Sequence, residues 1–189
     1  MTDQIHRILT RVQKPARYVG GEYNQIVKRK QDVDVRVAFC FPDTYEIGMS
    51  NIGMRILYGV MNEMPGVWCE RVFAPWGDME AEMRAHRLPL WALESHDPDL
   101  VAFTLGYEMC YSNVLNMLEL SGLPLLAKDR KGLEGIVFAG GVCTVNPEPL
   151  ADFIDFFSIG EGEESTREII ECYRAAKRQG LSKQEFLRE

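Results

Sequence analysis

The sequence predicts an α/β chain: a flavodoxin-like, doubly wound, mainly parallel sheet of about five strands behind an N-terminal extension. Three observations carry this expectation. Short, nearly continuous apolar runs of strand length recur along the chain, as strands buried on both faces of a parallel sheet require. Segments with helical apolar spacing separate them, giving the alternating order that right-handed crossovers produce. At 189 residues, 46% hydrophobic and 26% charged, the chain is long enough for one such domain plus an appendage.

Residues 1–34 differ from the rest and read as an extension packed on the main domain. Asp3 to Val12 sets Ile5, Ile8, Leu9 and Val12 on one helical face; Lys14-Pro15 stops it and Gly20-Gly21 marks a turn. The domain proper spans 35–180. VRVAFCF (Val35 to Phe41) is the first strand, closed by Pro42-Asp43. Ser50 or Asn51 caps the next helix, in which Ile52, Ile56, Leu57, Val60, Met61 and Met64 recur at helical spacing until Pro65-Gly66. Val67 to Pro75 is the second strand, followed by a short helix around Asp78 to His86. Asp97-Pro98 introduces the third strand, Leu100 to Gly106. Tyr111 to Leu120 is helical, Gly135 to Gly141 is the fourth strand, and Asp155 to Gly160 is a short fifth. A long helix from Glu163 to about Arg178 ends at Gly180, and 181–189 reads as the capped start of a further element of a longer protein.

Composition narrows the function classes. A net charge of −7 and a pI near 5.1 argue against nucleic acid as a partner, because phosphate contacts need clustered Lys and Arg. The one basic cluster, Lys28-Arg29-Lys30, reads as a solvated turn. No apolar run approaches the ~20 residues that span a bilayer. The opening MTDQIHRILTRVQKPARY has no signal-peptide pattern, so a cytoplasmic location without membrane contact is expected. Cys40, Cys69, Cys110, Cys143 and Cys172 lie far apart and form no close ligand cluster for zinc or iron–sulfur. His6, His86 and His96 lie away from the glycine-bearing loops, which leaves no histidine base or metal triad there.

Ligands of a doubly wound sheet bind at the carboxyl ends of the strands, where the strand order reverses. Four loops fall at that edge: PDTYEIGMSN (42–51), GYEMCYSN (106–113), GGVCTVNPEPLAD (140–152) and GEGEES (160–165). Gly106, Gly140 and Gly141 follow buried strands, where a missing Cβ admits a ligand or another backbone. Gly160 and Gly162 precede a helix whose free N–H groups favour an anion. GEGEES lacks the spacing and the lysine of a phosphate loop, and no G-x-G-x-x-G follows the first strand.

These loops resemble the N-terminal domain of cobalamin-binding-type radical S-adenosylmethionine (SAM) proteins. The segments that carry the likeness are KPARYVGGEYN (14–24), PDTYEIGMSNIGMRILY (42–58) and GGVCTVNPEPLADFIDFFSIGEGEE (140–164). The resemblance implies cobalamin at the strand carboxyl edge and the protein's own C-terminal radical domain as partner. That domain would hold the iron–sulfur cluster and SAM, since this chain has no C-x-x-x-C-x-x-C and is not expected to be catalytic alone. Many cobalamin domains carry D-x-H-x-x-G after the first strand. Here Asp43, Tyr45 and Gly48 stand at its three positions, so cobalamin would lack a histidine lower ligand. Thr104 and Gly106 sit where a hydroxyl-x-apolar motif is usual, with Tyr107, Glu108 and Tyr111 adding bulk. Gly140 and Gly141 match the glycine pair after the fourth strand. The implied cofactor-binding set is therefore Asp43, Tyr45, Gly48, Thr104, Gly106, Gly140, Gly141, Gly160 and Gly162. A cavity beside Gly48, Gly106 and Gly140-Gly141 would fit cobalamin; loops closed by Tyr45 or Tyr107 would fit a cofactor-free interaction or substrate-positioning module. A flavin site is the third option, with Thr44 and Ser50 as its few hydroxyls.

Overall fold

The computed structural model describes residues 3–93 and 97–189; His96 lies outside them. The strands are β1 (Val35–Phe41), β2 (Val67–Phe73), β3 (Leu100–Thr104), β4 (Ile136–Gly140) and β5 (Phe156–Phe157). The helices are α1 (Asp3–Leu9), α2 (Tyr45–Ser50), α3 (Ile52–Glu63), α4 (Gly77–His86), α5 (Tyr111–Ser121), α6 (Gly162–Gln179) and α7 (Lys183–Phe186). All neighbouring strands run parallel, in the order β2-β1-β3-β4-β5. This is the flavodoxin-like doubly wound order, with its reversal between β1 and β3.

Alternation along the strands builds two cores. Val35, Val37, Phe39 and Phe41 of β1 face α3 and α6, where they meet Met54, Tyr58, Met61, Ile170 and Tyr173. Ala38 and Cys40 face the other way, toward Met79 and Met83 of α4 and Val114 and Met117 of α5. Both faces are therefore apolar, which is why the strands read as continuous runs.

Two buried carboxylates pin the amino edge of the sheet. Asp99, just before β3, accepts from Arg36 N (2.8 Å), Arg36 Nε (3.0 Å) and Lys177 Nζ (2.7 Å). Asp155, just before β5, accepts from Val137 N (2.8 Å), Arg130 Nε (3.1 Å) and Lys183 Nζ (2.5 Å). Burial alone would raise the Asp99 pKa; the hydrogen bonds from Arg36 and Lys177 outweigh it and hold the carboxyl below its ordinary value.

Three local expectations change. The segment after β1, expected as a loop, winds into α2: Ile47 N and Gly48 N both bond to Thr44 O (3.1 and 3.0 Å). Asn51, extended at φ −74° and ψ 123°, ends α2 and caps α3 through Met54 N (2.9 Å). β5 shrinks to Phe156–Phe157, flanked by single bonds to β4 from Asp155 N to Val137 O and from Ser158 N to Ala139 O (each 2.8 Å). Lys28 does not sit in a solvated turn. Its ammonium donates to Asn62 O (2.7 Å) at the carboxyl end of α3 and to Val67 O at the start of β2, and desolvation there lowers its pKa.

The extension is stitched to the same frame. Ile8 and Val12 enter the core beside α4, and Gln13 N donates to Asp78 Oδ2 at 2.6 Å. Residues 14–30 then arch over β2, the edge strand. Ile26 N donates to the Tyr58 hydroxyl (2.7 Å), and Trp68 Nε1 donates to Ile26 O (3.2 Å).

Candidate functional site

The carboxyl ends of β3, β4 and β5 open on a cavity of about 240 Å³ beneath α3 and α6. Of the residues singled out in the sequence, Thr104, Gly140, Gly141, Gly160 and Gly162 line it. Phe39, Leu57, Met61 and Phe138 form its apolar walls, and Ser158 and Thr166 add hydroxyls that the sequence did not flag. Each sits beside a glycine or in the first turns of α6, which is the only sequence signal they carry.

The glycines serve this cavity in different ways. Gly160 has φ +119° and open space where a Cβ would stand, so a side chain here would be strained and would project toward the mouth. A Cβ on Gly140 would sit 3.9 Å from Ser158 O. Gly141, at φ +103°, has a tighter constraint: a Cβ would fall 2.7 Å from Leu105 O. That approach lets Leu105 N donate to Gly140 O (2.8 Å) and Cys143 N donate to Leu105 O (3.2 Å), locking the β3 and β4 loops together. Gly162 opens α6, whose Glu161 cap makes no side-chain hydrogen bond to the helix start. The first-turn N–H groups of an 18-residue helix therefore meet the cavity mouth, with Glu161 and Glu163 beside them.

The remaining residues are placed elsewhere. Gly48 packs under the sheet edge, where a Cβ would overlap the Phe73 ring and lie 3.2 Å from Phe41 Cβ. Its missing side chain is explained by helix-on-sheet contact. Tyr45 sets its ring edge-on to Phe73 (5.3 Å between centroids) and donates its hydroxyl to Glu22 Oε1 at 3.2 Å. Burial, then the Glu22 charge, raises its pKa. It points toward the N-terminal arch, away from the cavity. Gly106 borders open space outside the cavity lining. Asp43 accepts a hydrogen bond from the Tyr107 hydroxyl, which latches the β1 loop to the β3 loop across the point where the strand order reverses. This bond, with burial second, pushes the Tyr107 pKa up to about 12.

A volume of about 240 Å³ is below the roughly 300–1,000 Å³ of pockets that enclose drug-sized ligands. A corrin ring would not fit inside it. Exposed apolar side chains adjoin lining residues in the chain, Ile52 before Gly53, Val142 after Gly141 and Ile159 between Ser158 and Gly160, while the exposed Glu161 and Glu163 belong to the lining itself. Among the described residues no group of three or more His, Cys, Asp or Glu side chains is arranged to hold a metal ion. Four of the five cysteines are buried as free thiols. Among those residues, too, no helix is long and apolar enough to cross a membrane.

Comparison with known proteins adds one finding. A family model described as "Radical SAM proteins, N-terminal" matches residues 53–189, more than two thirds of the chain. The match runs from the first turn of α3 through α7, so it includes every residue that lines the cavity except Phe39. No curated protein and no solved structure matches significantly.

Proposed function

Because the chain belongs to the family of N-terminal regions of radical SAM proteins, we propose that it is an accessory domain that positions cobalamin for a radical domain, with one limb of the cofactor in the cavity beneath α3 and α6. The observation that carries this reading is convergence. Thr104, Gly140, Gly141, Ser158, Gly160 and Gly162, from the ends of β3, β4 and β5, line one cavity at the carboxyl edge of the sheet. Cobalamin, when bound, supplies methyl-transfer or radical chemistry through its cobalt. The chain's own residues bind and orient. Gly140 and Gly160 allow close approach, Thr104 offers a hydroxyl, and the α6 start offers N–H donors. Tyr45 is turned to Glu22, which suits a cofactor held without a ligand to cobalt from that position.

A visible-absorption titration of the purified chain with hydroxocobalamin, followed by gel filtration, tests the proposal. Co-elution with a base-off spectrum is expected, and Ile56→Trp, which fills the mouth from the outer face of α3, should abolish it. Absence of retained colour at high micromolar cobalamin would favour the cofactor-free docking module instead. The Asp43–Tyr107 latch favours that second reading, because it already closes the β1 and β3 loops on one another.

A further inference from the structure

A second cavity, of about 510 Å³, lies between the free edge of β2 and the arch formed by residues 17–30. It is on the far side of the sheet edge from the cavity just described and does not depend on cobalamin. Its volume falls within the range of pockets that enclose small ligands, about 300–1,000 Å³.

Arg71 is its centre. The side chain is 5% exposed, yet its guanidinium is weakly matched. Nη1 and Nη2 both reach the same oxygen, Asn24 Oδ1, at 3.3 Å, and Glu22 Oε2 stops 3.7 Å away. One face is stacked on the Tyr58 ring at 4.2 Å. A nearly buried guanidinium ordinarily spends its five donors on short, charge-assisted bonds. Here they are held at long range beside open volume.

The main chain of the same residue adds to this. Cys69 turns both backbone groups away from the sheet, its N–H to Asn62 Oδ1 and its C=O to Asn62 Nδ2, each at 3.1 Å. Strand alternation points the N–H and C=O of Arg71 the same way. Among the described residues no group bonds to them. Among the described residues, a donor and an acceptor with no partner and an underused guanidinium therefore share one wall. Tyr45, Tyr58 and Trp76 supply aromatic surface around them. The other arginine of the cavity, Arg17, is committed: Nε and Nη2 bind Glu46 Oε1 at 2.9 and 2.7 Å, and its guanidinium stacks on Trp76. Glu22 and Glu70 on the lining disfavour a dianion.

We infer that this cavity binds a small peptide-like monocarboxylate with an aromatic or apolar body. Its carboxylate pairs with the Arg71 guanidinium, its amide meets the Arg71 main chain, and its ring lies against the tyrosines and Trp76. The planar fork of arginine matches a carboxylate bidentately, and one negative charge completes the pairing that Glu22 leaves at 3.7 Å.

The test is a titration of the 189-residue chain with N-acetylphenylalanine, its neutral carboxamide and inorganic phosphate, read by amide NMR shifts. Saturable shifts centred on Arg71, Phe73 and the Trp76 indole are expected with the acid. Affinity should fall about tenfold or more with the carboxamide, as expected for losing a hydrogen bond to a charged group. Arg71→Lys, which keeps the charge and loses the fork, should weaken the acid similarly. The wild-type comparison of acid with carboxamide decides the matter if that variant loosens the arch. Equal binding of acid and carboxamide, displacement of the acid by phosphate at similar concentration, or no saturable shift at millimolar acid would overturn the inference.

Discussion

Two glycines of the β3 and β4 loops differ in what the fold asks of them. Gly141 sits at φ +103° with Leu105 O where a Cβ would go, so Gly141→Ala meets both backbone strain and a main-chain clash. The strain alone costs about 1–3 kcal/mol. Gly106 has nothing within 4 Å of the same position, so Gly106→Ala should stay within about 0.5 kcal/mol of wild type. Urea midpoints of the two variants check the contrast; equal midpoints would mean that the β3–β4 loop contact does not constrain the fold. Tyr107 carries the second prediction at this scale. Its folded pKa is raised to about 12 by the bond to Asp43, above an ordinary value of 10.0. The protonated phenol is the stabilised form, so the latch contributes fully below pH 10 and is lost as pH rises through about 12. Phenolate absorbance, taken as the difference between wild type and Tyr107→Phe, should therefore show a late titration. Asp43→Asn should bring it back toward 10. An unchanged titration in Asp43→Asn would remove the latch from the account.

Among the elements, strands and long helices were legible and the short or tethered pieces were not. Val35–Phe41 was read to the residue because both faces of β1 are apolar and Pro42 closes it. Asn51 was one of two capping choices, and its side chain makes the bond to Met54 N. α2 was missed because Tyr45–Ser50 has no helical apolar period; its helicity comes from Thr44 O receiving two N–H groups and from Gly48 fitting under Phe73. The candidate site was legible where its chemistry is glycine after a strand. It was illegible where tertiary placement decides, as with Tyr45 and Asp43, whose partners Glu22 and Tyr107 come from other parts of the chain. Asp155 shows the same limit, since nothing local in DFFSIG announces that its first residue is a buried hub. That hub joins β4, β5, the 127–130 turn and α7, with Asp155 fully buried and Arg130 2% exposed. Asp155→Asn leaves Arg130 and Lys183 facing each other without a counter-charge. A loss of about 3–5 kcal/mol is expected for breaking such a buried pairing. Chemical denaturation measures it, and a loss below about 1 kcal/mol would mean that water reaches the two cations.

At the scale of the whole molecule the two edges of the sheet have opposite characters. The amino edge is closed by ion pairs to two buried carboxylates, Asp99 and Asp155. The carboxyl edge ends in glycine turns and exposed apolar side chains, with Ile52, Val142 and Ile159 each next in sequence to a residue that lines the smaller cavity. Those side chains gain nothing from the fold of this chain alone, so replacing one of them should leave stability within about 0.5 kcal/mol. If a corrin lies over the rim while one limb enters the cavity, a carboxylate placed there would be trapped against an apolar macrocycle and desolvated. Val142→Glu should then keep the wild-type urea midpoint and lose at least about tenfold in hydroxocobalamin retention, since desolvating a polar group without a partner costs about 1–3 kcal/mol. Binding of N-acetylphenylalanine at the β2 edge should not change, because Val142 does not line that cavity. Unchanged cobalamin retention in Val142→Glu would place the corrin away from this rim. A loss of both ligands with an unchanged midpoint would mean that the two cavities are coupled through the sheet.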